Sequence, residues 1–129
     1  MHVVRAHFIL FVRDQEASTA FYARVLDAAP TLHVAGMTEF ELGGGAVLGL
    51  MPRAGAVRLL GAALGDRATA PGGASAELYL VVADAAACHR RALAAGAGEL
   101  SAPAQRDWGA QVGYVADPDG HIIAFASPR

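Results

Sequence analysis

The chain has 129 residues, of which 54% are apolar, and a formal net charge of −2. This length makes one domain, or two very small modules that share a core. The near-neutral charge lacks the basic footprint of proteins that bind nucleic acid or anionic membranes, and no uncharged apolar run is long enough to span a bilayer. The single cysteine, Cys88, excludes an intrachain disulfide, so we expect a soluble, cytoplasmic protein.

The first half of the chain reads as a strand, a helix and three further strands. Asp14 stands where a helix N-cap belongs, and the helix that follows carries Ala17, Phe21 and Val25 at i, i+4 spacing and extends to Leu26. The predicted strands lie at residues 7–12, 31–35, 37–42 and 46–51, on the basis of apolar or alternating runs bounded by turn residues.

The second half repeats this plan after a segment rich in Gly, Pro and Ala. Residues 53–75 are predicted as a linker, with one short helix near residues 59–64. Asp84 caps the next helix, and Gly96 is a natural residue for its C-terminal end. The predicted strands of this half lie at residues 77–82, 99–102, 110–116 and 121–126.

The closing hairpin, DWGAQVGYVADPDGHIIAF at residues 107–125, is the most informative stretch. Its turn is Asp117-Pro118-Asp119-Gly120, because proline presets φ and glycine accepts a positive φ. This string resembles the closing hairpin of the vicinal oxygen chelate superfamily, the glyoxalase and bleomycin-resistance proteins, and we favour its bleomycin-resistance-like branch. The helix with Phe21-Tyr22 and Val25-Leu26 also resembles that family, although Asp27 stands where the family usually has glycine.

The two halves of the chain align with each other. HFILFVRD (7–14) lies over ELYLVVAD (77–84), and GGAVLGLM (44–51) lies over DGHIIAFA (119–126). We therefore predict one α+β domain over residues 1–129, built from two tandem βαβββ modules. Module 1 covers about residues 3–52 and module 2 about residues 76–127, and together they are expected to form a curved mixed sheet around a cleft.

Strand alternation predicts which side chains face that cleft. Phe8, Leu10 and Val12 should pack on the helices, so His7 points inward, and by the same phase Glu77 points inward from module 2. The two residues are interpreted either as a hydrogen-bonded structural pair or as a functional pair. The functional pair is either a polar anchor for a ligand or a general acid and base.

The resemblance also implies where a metal would bind. In metal-dependent members of the family, inward residues of four strands hold a divalent cation, and by position those slots are His7, Gly49, Glu77 and Ala124 here. Gly49 and Ala124 have no ligand atoms, whereas octahedral sites of this type want three or four protein ligands. We therefore predict no metal and no other cofactor.

Trp108, the only tryptophan, has two interpretations. It either caps the end of the sheet or stacks on a planar ligand at the cleft mouth, with Arg106 supplying charge or stacking. His33 is a further possible wall of the site. The predicted ligand-binding residues are His7, Phe11, Phe40, Glu77, Tyr79, Arg106 and Trp108.

These observations favour a binding protein that sequesters a small hydrophobic, partly aromatic molecule without a metal, as antibiotic-resistance members of the family do. No catalytic residue is assigned in that case. The alternatives are a metal-dependent lyase, isomerase or dioxygenase, and a metal-free enzyme that uses His7 and Glu77 as acid and base. The resemblance implies a homodimer, and it leaves open whether the modules pair within one chain or across the dimer.

Overall fold

The structure is a computed structural model that describes residues 2–60 and 76–128. The chain divides into two units, Met1–Gly72 (unit 1) and Gly73–Arg129 (unit 2). Each unit contains a four-stranded mixed sheet, and the described residues form three helices, so the predicted α+β class is confirmed. Within the described ranges, no helix is long and apolar enough to cross a membrane.

Both units follow the predicted βαβββ plan. The elements of unit 1 are β1 (Ala6–Val12), α1 (Gln15–Leu26), β2 (Leu32–Val34), β3 (Met37–Gly43), β4 (Ala46–Pro52) and α2 (Arg53–Leu60). Those of unit 2 are β5 (Glu77–Val81), α3 (Ala85–Ala94), β6 (Gly98–Gln105), β7 (Gln111–Ala116) and β8 (Ile122–Ala126). In unit 1 the strand order is β1-β4-β3-β2, and in unit 2 it is β5-β8-β7-β6; the first two strands of each order are parallel and the other pairs are antiparallel.

The helix boundaries follow from capping residues that the sequence indicated. Asp14 Oδ1 accepts a hydrogen bond from the Ala17 N–H at 3.0 Å, and Asp84 Oδ1 accepts one from Ala87 at the same distance. At the other end of α1, Asp27 has φ 51°, a left-handed conformation that favours glycine. The departure from the family pattern at this position therefore leaves a carboxylate side chain where a helix usually ends in glycine.

Among the described elements, two differ from their predicted bounds by more than one residue at an end. Helix α2 begins at Arg53, directly after β4, whereas the sequence predicted a helix near residues 59–64. Residues 61–64 of that predicted helix lie outside the described residues. Strand β6 extends to Gln105, past Pro103, where the sequence predicted an end at residue 102. Proline is tolerated there because β6 is an edge strand of its sheet, and its pairing with β7 shifts register on both sides of residue 101.

The core of unit 1 forms where α1 packs on β3 and β4. Val12 is fully buried as predicted, but Phe8 is 54% exposed, so its predicted packing on a helix is wrong. The reason is that β1 is an edge strand, and α1 packs mainly on β4 and β3, whereas the short helix α2 makes a few contacts with β1. Ser18 and Thr19 are buried on α1, whereas Ala17 is exposed. The other fully or nearly fully buried core side chains of unit 1 are Phe21, Tyr22, Val25, Phe40, Val47, Leu48 and Leu50.

Thr38 is the centre of a buried polar network between α1 and the sheet of unit 1. Its Oγ1 lies 2.8 Å from Thr19 Oγ1, 2.8 Å from His33 Nδ1 and 3.0 Å from Gln15 Nε2. His33 Nε2 also lies 3.0 Å from Glu16 Oε1. This arrangement uses both ring nitrogens of His33 in joining β2 to β3 and α1, so the structure gives His33 a packing role.

The closing hairpin turn is built as the sequence predicted. Asp117 is nearly fully buried, and its Oδ1 accepts hydrogen bonds from the backbone N–H groups of Asp119 at 2.9 Å and His121 at 2.8 Å. The Gly120 N–H donates to the Asp117 carbonyl at 2.9 Å, and Gly120 has φ 87°. The turn fixes the register of β7 with β8, which sets the side chains of unit 2 described below.

Candidate functional site

One face of the unit 1 sheet carries a histidine and a carboxylate side by side. Gly49 lies in register with Ile9 on β1 and with Glu39 on β3, and His7 lies two residues before Ile9 on the same face. His7 Nδ1 is 3.3 Å from Glu39 Oε2, and the two side chains are 34% and 24% exposed. Glu39 thus lies on the same sheet face as His7, the face that strand alternation predicted to point inward. It was not among the predicted site residues.

This His7–Glu39 pair can orient an imidazole and hold a proton between two groups. The pair is charged on both sides only when His7 is protonated. The predicted partnership of His7 with Glu77 joins residues of different units and stays a prediction. Glu77 is exposed at the start of β5, in register with Ile122.

The four metal slots implied by the resemblance do not fit a metal ion. A Cβ added at Gly49 would lie 3.0 Å from Ile9 Cγ1 and 3.4 Å from Met37 Sδ, so apolar atoms occupy the space around that slot. Ala124 is fully buried and lies in register between Tyr79 on β5 and Tyr114 on β7. Across the described residues, no group of three or more His, Cys, Asp or Glu side chains could hold a metal. We therefore derive no chemistry through a metal.

Unit 2 presents an aromatic surface, which we call the aromatic face: Tyr79, Trp108 and Tyr114. The indole Nε1–H of Trp108 donates a hydrogen bond to Tyr79 Oη at 3.0 Å. The Trp108 and Tyr79 residues remain 45% and 38% exposed. Tyr114 lies on the same sheet face as Tyr79, across Ala124, and packs against small buried residues, Ala110, Val112, Ala124 and Ala126. The predicted ligand residues Tyr79 and Trp108 are thus brought together by the fold.

Arg106 belongs to the frame of this face. Its guanidinium carbon lies 5.3 Å from the centre of the Tyr114 ring, a cation–π distance. Its Nη2 donates to the Val112 carbonyl and to Ser101 Oγ, both at 2.9 Å, and its Nε donates to the same carbonyl at 3.2 Å. Because these bonds hold the guanidinium against β6 and β7, Arg106 supports Tyr114 as well as offering charge.

The remaining candidates lie in unit 1. Phe40 is fully buried in the core, a position that favours the packing interpretation over ligand contact. Phe11 is half-buried on the His7 face, in register with Met51. The sequence could not have indicated the Tyr79–Trp108 contact, because it joins a strand to a turn in the later part of the unit and depends on the register of β5, β8 and β7.

The fold and the site together define an α+β protein of two βαβββ units, with a His7–Glu39 pair on one sheet face of unit 1 and an aromatic face on unit 2. The sequence model of the Glyoxalase/Bleomycin resistance protein/Dioxygenase superfamily matches residues 5–125. The chain therefore belongs to this superfamily, and the resemblance drawn from the closing hairpin is confirmed. Its bleomycin-resistance-like branch stays a prediction. The comparison with curated proteins found no match.

Solved structures share this fold over nearly the whole chain. A glyoxalase-related enzyme from Fulvimarina pelagi is 28% identical, with a TM-score of 0.74 over 95% of this chain and 86% of that chain. A glyoxalase/bleomycin resistance protein/dioxygenase family enzyme from Burkholderia phytofirmans is 21% identical, with a TM-score of 0.78 over 94% and 95%. A glyoxalase/bleomycin resistance protein/dioxygenase from Nocardioides is 24% identical, with a TM-score of 0.74 over 98% and 83%. The latter two likenesses concern the fold alone.

Proposed function

We propose that this protein binds a small, planar, partly aromatic molecule on the aromatic face of unit 2, without a metal. The observation that carries the proposal is the hydrogen bond between Trp108 and Tyr79, which holds two half-exposed rings in a fixed relation. Rings held in this way offer apolar area at little further cost in side-chain entropy. A protein with this arrangement can sequester a ligand, as the sequence analysis expected, without any reacting group.

The surroundings of the two rings support this choice of ligand. The floor beneath Tyr114 consists of short side chains, mostly alanine, so the rings supply most of the bulk of this face. Arg106, stacked on Tyr114, adds a cation at its edge. A planar molecule with an apolar ring system and a polar substituent matches both features.

The test is a calorimetric titration with 2-naphthol, with decahydro-2-naphthol as the saturated control. We expect 2-naphthol to bind and the saturated alcohol to bind much more weakly, because only the planar ring can stack. Trp108→Leu should weaken 2-naphthol binding by about tenfold, which corresponds to about 1.4 kcal/mol. Tyr79→Phe is the matched variant for the partner ring, since it keeps the ring and removes only the hydroxyl that accepts the hydrogen bond from Trp108.

Two results would contradict the proposal. The first is equal affinity for 2-naphthol in the wild-type protein and the Trp108→Leu variant. The second is loss of binding after treatment with a chelator, which would instead favour the metal-dependent lyase, isomerase or dioxygenase. Binding that survives chelation and falls with the loss of the indole supports the proposal.

A metal-free acid–base enzyme is the second candidate, favoured by the 3.3 Å contact between His7 and Glu39. In this version Glu39 takes the place beside His7 that the sequence analysis gave to Glu77. Proton abstraction next to a carbonyl group would exchange that hydrogen with solvent, so NMR in D₂O on a panel of small ketones detects it. Exchange that is abolished by both His7→Gln and Glu39→Gln would establish the enzyme, and no exchange with any ketone would leave the binding function alone.

We also propose that the protein acts as a cytoplasmic homodimer. Large apolar side chains on the edge strands β1 and β5, among them Phe8, Ile9 and Val81, are exposed in the single chain. A second copy would cover such side chains, with a gain of about 25 cal/mol for each Å² of apolar surface removed from water. A monomer in light scattering at micromolar concentration would refute the dimer.

A further inference from the structure

Unit 1 contains an open cavity of about 310 Å³ that neither proposed function uses. It is lined by Gly36, Met51, Gly55, Arg58 and Leu59, so it lies where the β2–β3 turn meets the end of β4 and helix α2. Its volume is at the lower end of the range for small-molecule sites. A small ligand with one polar group and a short hydrocarbon chain would fit such a space.

Two glycines keep this cavity open. Gly36 has φ 94°, so its conformation itself favours glycine. Gly55 lies in α2 without a positive φ, although glycine is among the weakest helix formers. A Cβ at Gly55 would lie 3.7 Å from Arg58 Nη2 and 3.9 Å from Met51 Cγ, which are ordinary contacts. A side chain at this position would therefore fit the backbone and occupy the cavity.

The wall on the β2–β3 side is held in place by Gln15. Its Oε1 accepts a hydrogen bond from the Gly36 N–H at 3.1 Å, and its Nε2 donates to the Val34 carbonyl at 2.8 Å. Both ends of the turn are thus tied to the first residue of α1. The turn side of the cavity is therefore held in place by hydrogen bonds to α1.

The described part of α2 beside the cavity carries positive charge only. Helix α2 contains Arg53 and Arg58 and no acidic residue. Among the described residues Arg58 has no hydrogen-bond or ion-pair partner, and Arg53 Nε is buried without one. Leu59, on the same wall, is 73% exposed. A cation beside uncovered apolar surface is the complement of an anion that carries an apolar chain.

We propose that this cavity binds a small amphiphilic carboxylate, with its carboxylate on Arg58 and its hydrocarbon chain against Met51 and Leu59. The guanidinium can donate two parallel hydrogen bonds to a carboxylate, which fixes the head group. The chain covers apolar surface that otherwise faces water. The cavity is built from residues of unit 1, whereas the aromatic face is built from residues of unit 2, so the cavity would serve as a second binding or regulatory site.

The test is a titration of the full chain with octanoate, followed by the backbone amide signals of Gly36 and Gly55 in ¹H–¹⁵N NMR spectra. Octanol and octylammonium are the neutral and cationic controls. We expect octanoate to shift both glycine signals and to bind at least tenfold more tightly than octanol, with no binding of octylammonium. Arg58→Gln should reduce octanoate binding to the level of octanol.

Two further variants distinguish binding in this cavity from nonspecific effects of charge and hydrophobicity. Arg91→Gln, a change in the last turn of α3 that mirrors Arg58 in the last turn of α2, should leave octanoate affinity unchanged. Gly55→Leu should abolish binding of octanoate while the NMR spectrum remains that of a folded protein. Equal affinity for octanoate and octanol, equal effects of the two arginine variants, or full binding by Gly55→Leu would each overturn the proposal.

Discussion

Strand β7 packs closely against α3 where Gly113 faces His89. A Cβ added at Gly113 would lie 2.5 Å from His89 Nδ1, 3.0 Å from His89 Cε1 and 3.0 Å from Pro103 Cγ. Neither neighbour can move easily. His89 is 2% exposed, its Nε2 lies 2.8 Å from Glu99 Oε2, and the proline ring is fixed within β6.

We expect Gly113→Ala to destabilise the protein by about 2 to 3 kcal/mol, the upper part of the range for overpacking a well-packed core. The cost arises because one methyl group must displace a buried imidazole or the strand that carries Pro103. Removing the imidazole should remove most of this cost. In the His89→Ala background, Gly113→Ala should therefore cost less than about 1 kcal/mol, a non-additivity expected of residues in contact.

The assay is urea unfolding followed by tryptophan fluorescence, which reports on unit 2 because Trp108 is the only tryptophan. The control is Gly98→Ala, since nothing lies within 4 Å of a Cβ at that strand position and its φ is not positive. We expect Gly98→Ala to leave the midpoint unchanged or to raise it slightly. A cost for Gly113→Ala that is equal with and without His89, or a cost no larger than that of Gly98→Ala, would refute the packing argument.

Four further substitutions test the framework of the two units. Thr38→Val should lower the free energy of unfolding by about 2 to 3 kcal/mol, because three polar groups lose their buried partner. Circular dichroism during urea unfolding measures this loss, and a value below about 0.5 kcal/mol would show that the network is dispensable. Asp27→Gly should stabilise the chain by up to about 1 kcal/mol in thermal unfolding, because Asp27 has a left-handed conformation that favours glycine. Gly96→Ala, at the C-terminal end of α3, should destabilise it by about 1 kcal/mol for the same reason. Effects of the same sign would contradict the left-handed conformation of these two residues. Asp117→Ala should cost about 2 kcal/mol, because two backbone N–H groups lose their acceptor, and an unchanged fluorescence midpoint would refute that role.

Unit 1 and unit 2 fill the equivalent space between helix and sheet with different side chains. Thr19 aligns with His89 in the two helices, and Thr38 aligns with Gly113 because each faces the equivalent strand residue, Leu50 or Phe125. Unit 1 thus fills this space with two small hydroxyl side chains, and unit 2 fills it with one large ring and no side chain opposite. The aligned sequences show each substitution, but only the register shows that the paired changes conserve volume.

The regular elements were predictable from the sequence because each has a local signal. Apolar runs mark the strands, Asp14 and Asp84 cap their helices, and the turn at residues 117–120 carries its own hydrogen-bonding groups. Helix α2 was placed too late, because Gly55 and the composition of the surrounding segment hide its helical preference. Its stability depends on packing against β1 and β4, which no local pattern reveals.

For the site, the sequence predicted only which residues share one face of a strand. Alternation placed His7 and Tyr79 on inward faces, but it could not say which strand borders which, so Glu39 was missed as the neighbour of His7. The hydrogen bond from Trp108 to Tyr79 was hidden for the same reason. Contacts between strands far apart in sequence depend on topology and register, and these are set by the whole sheet.

The most direct measurement of the central claim is a titration of ¹⁵N-labelled, metal-free protein with 2-naphthol, observed at the indole N–H signal. The single Trp108 gives one such signal, and its N–H donates to Tyr79. The proposed function predicts that this signal shifts in a saturable way, together with the backbone signals of Tyr79 and Tyr114. A saturable change confined to His7, Glu39 and their neighbours, with the indole signal unmoved, would contradict it and would place the ligand site in unit 1.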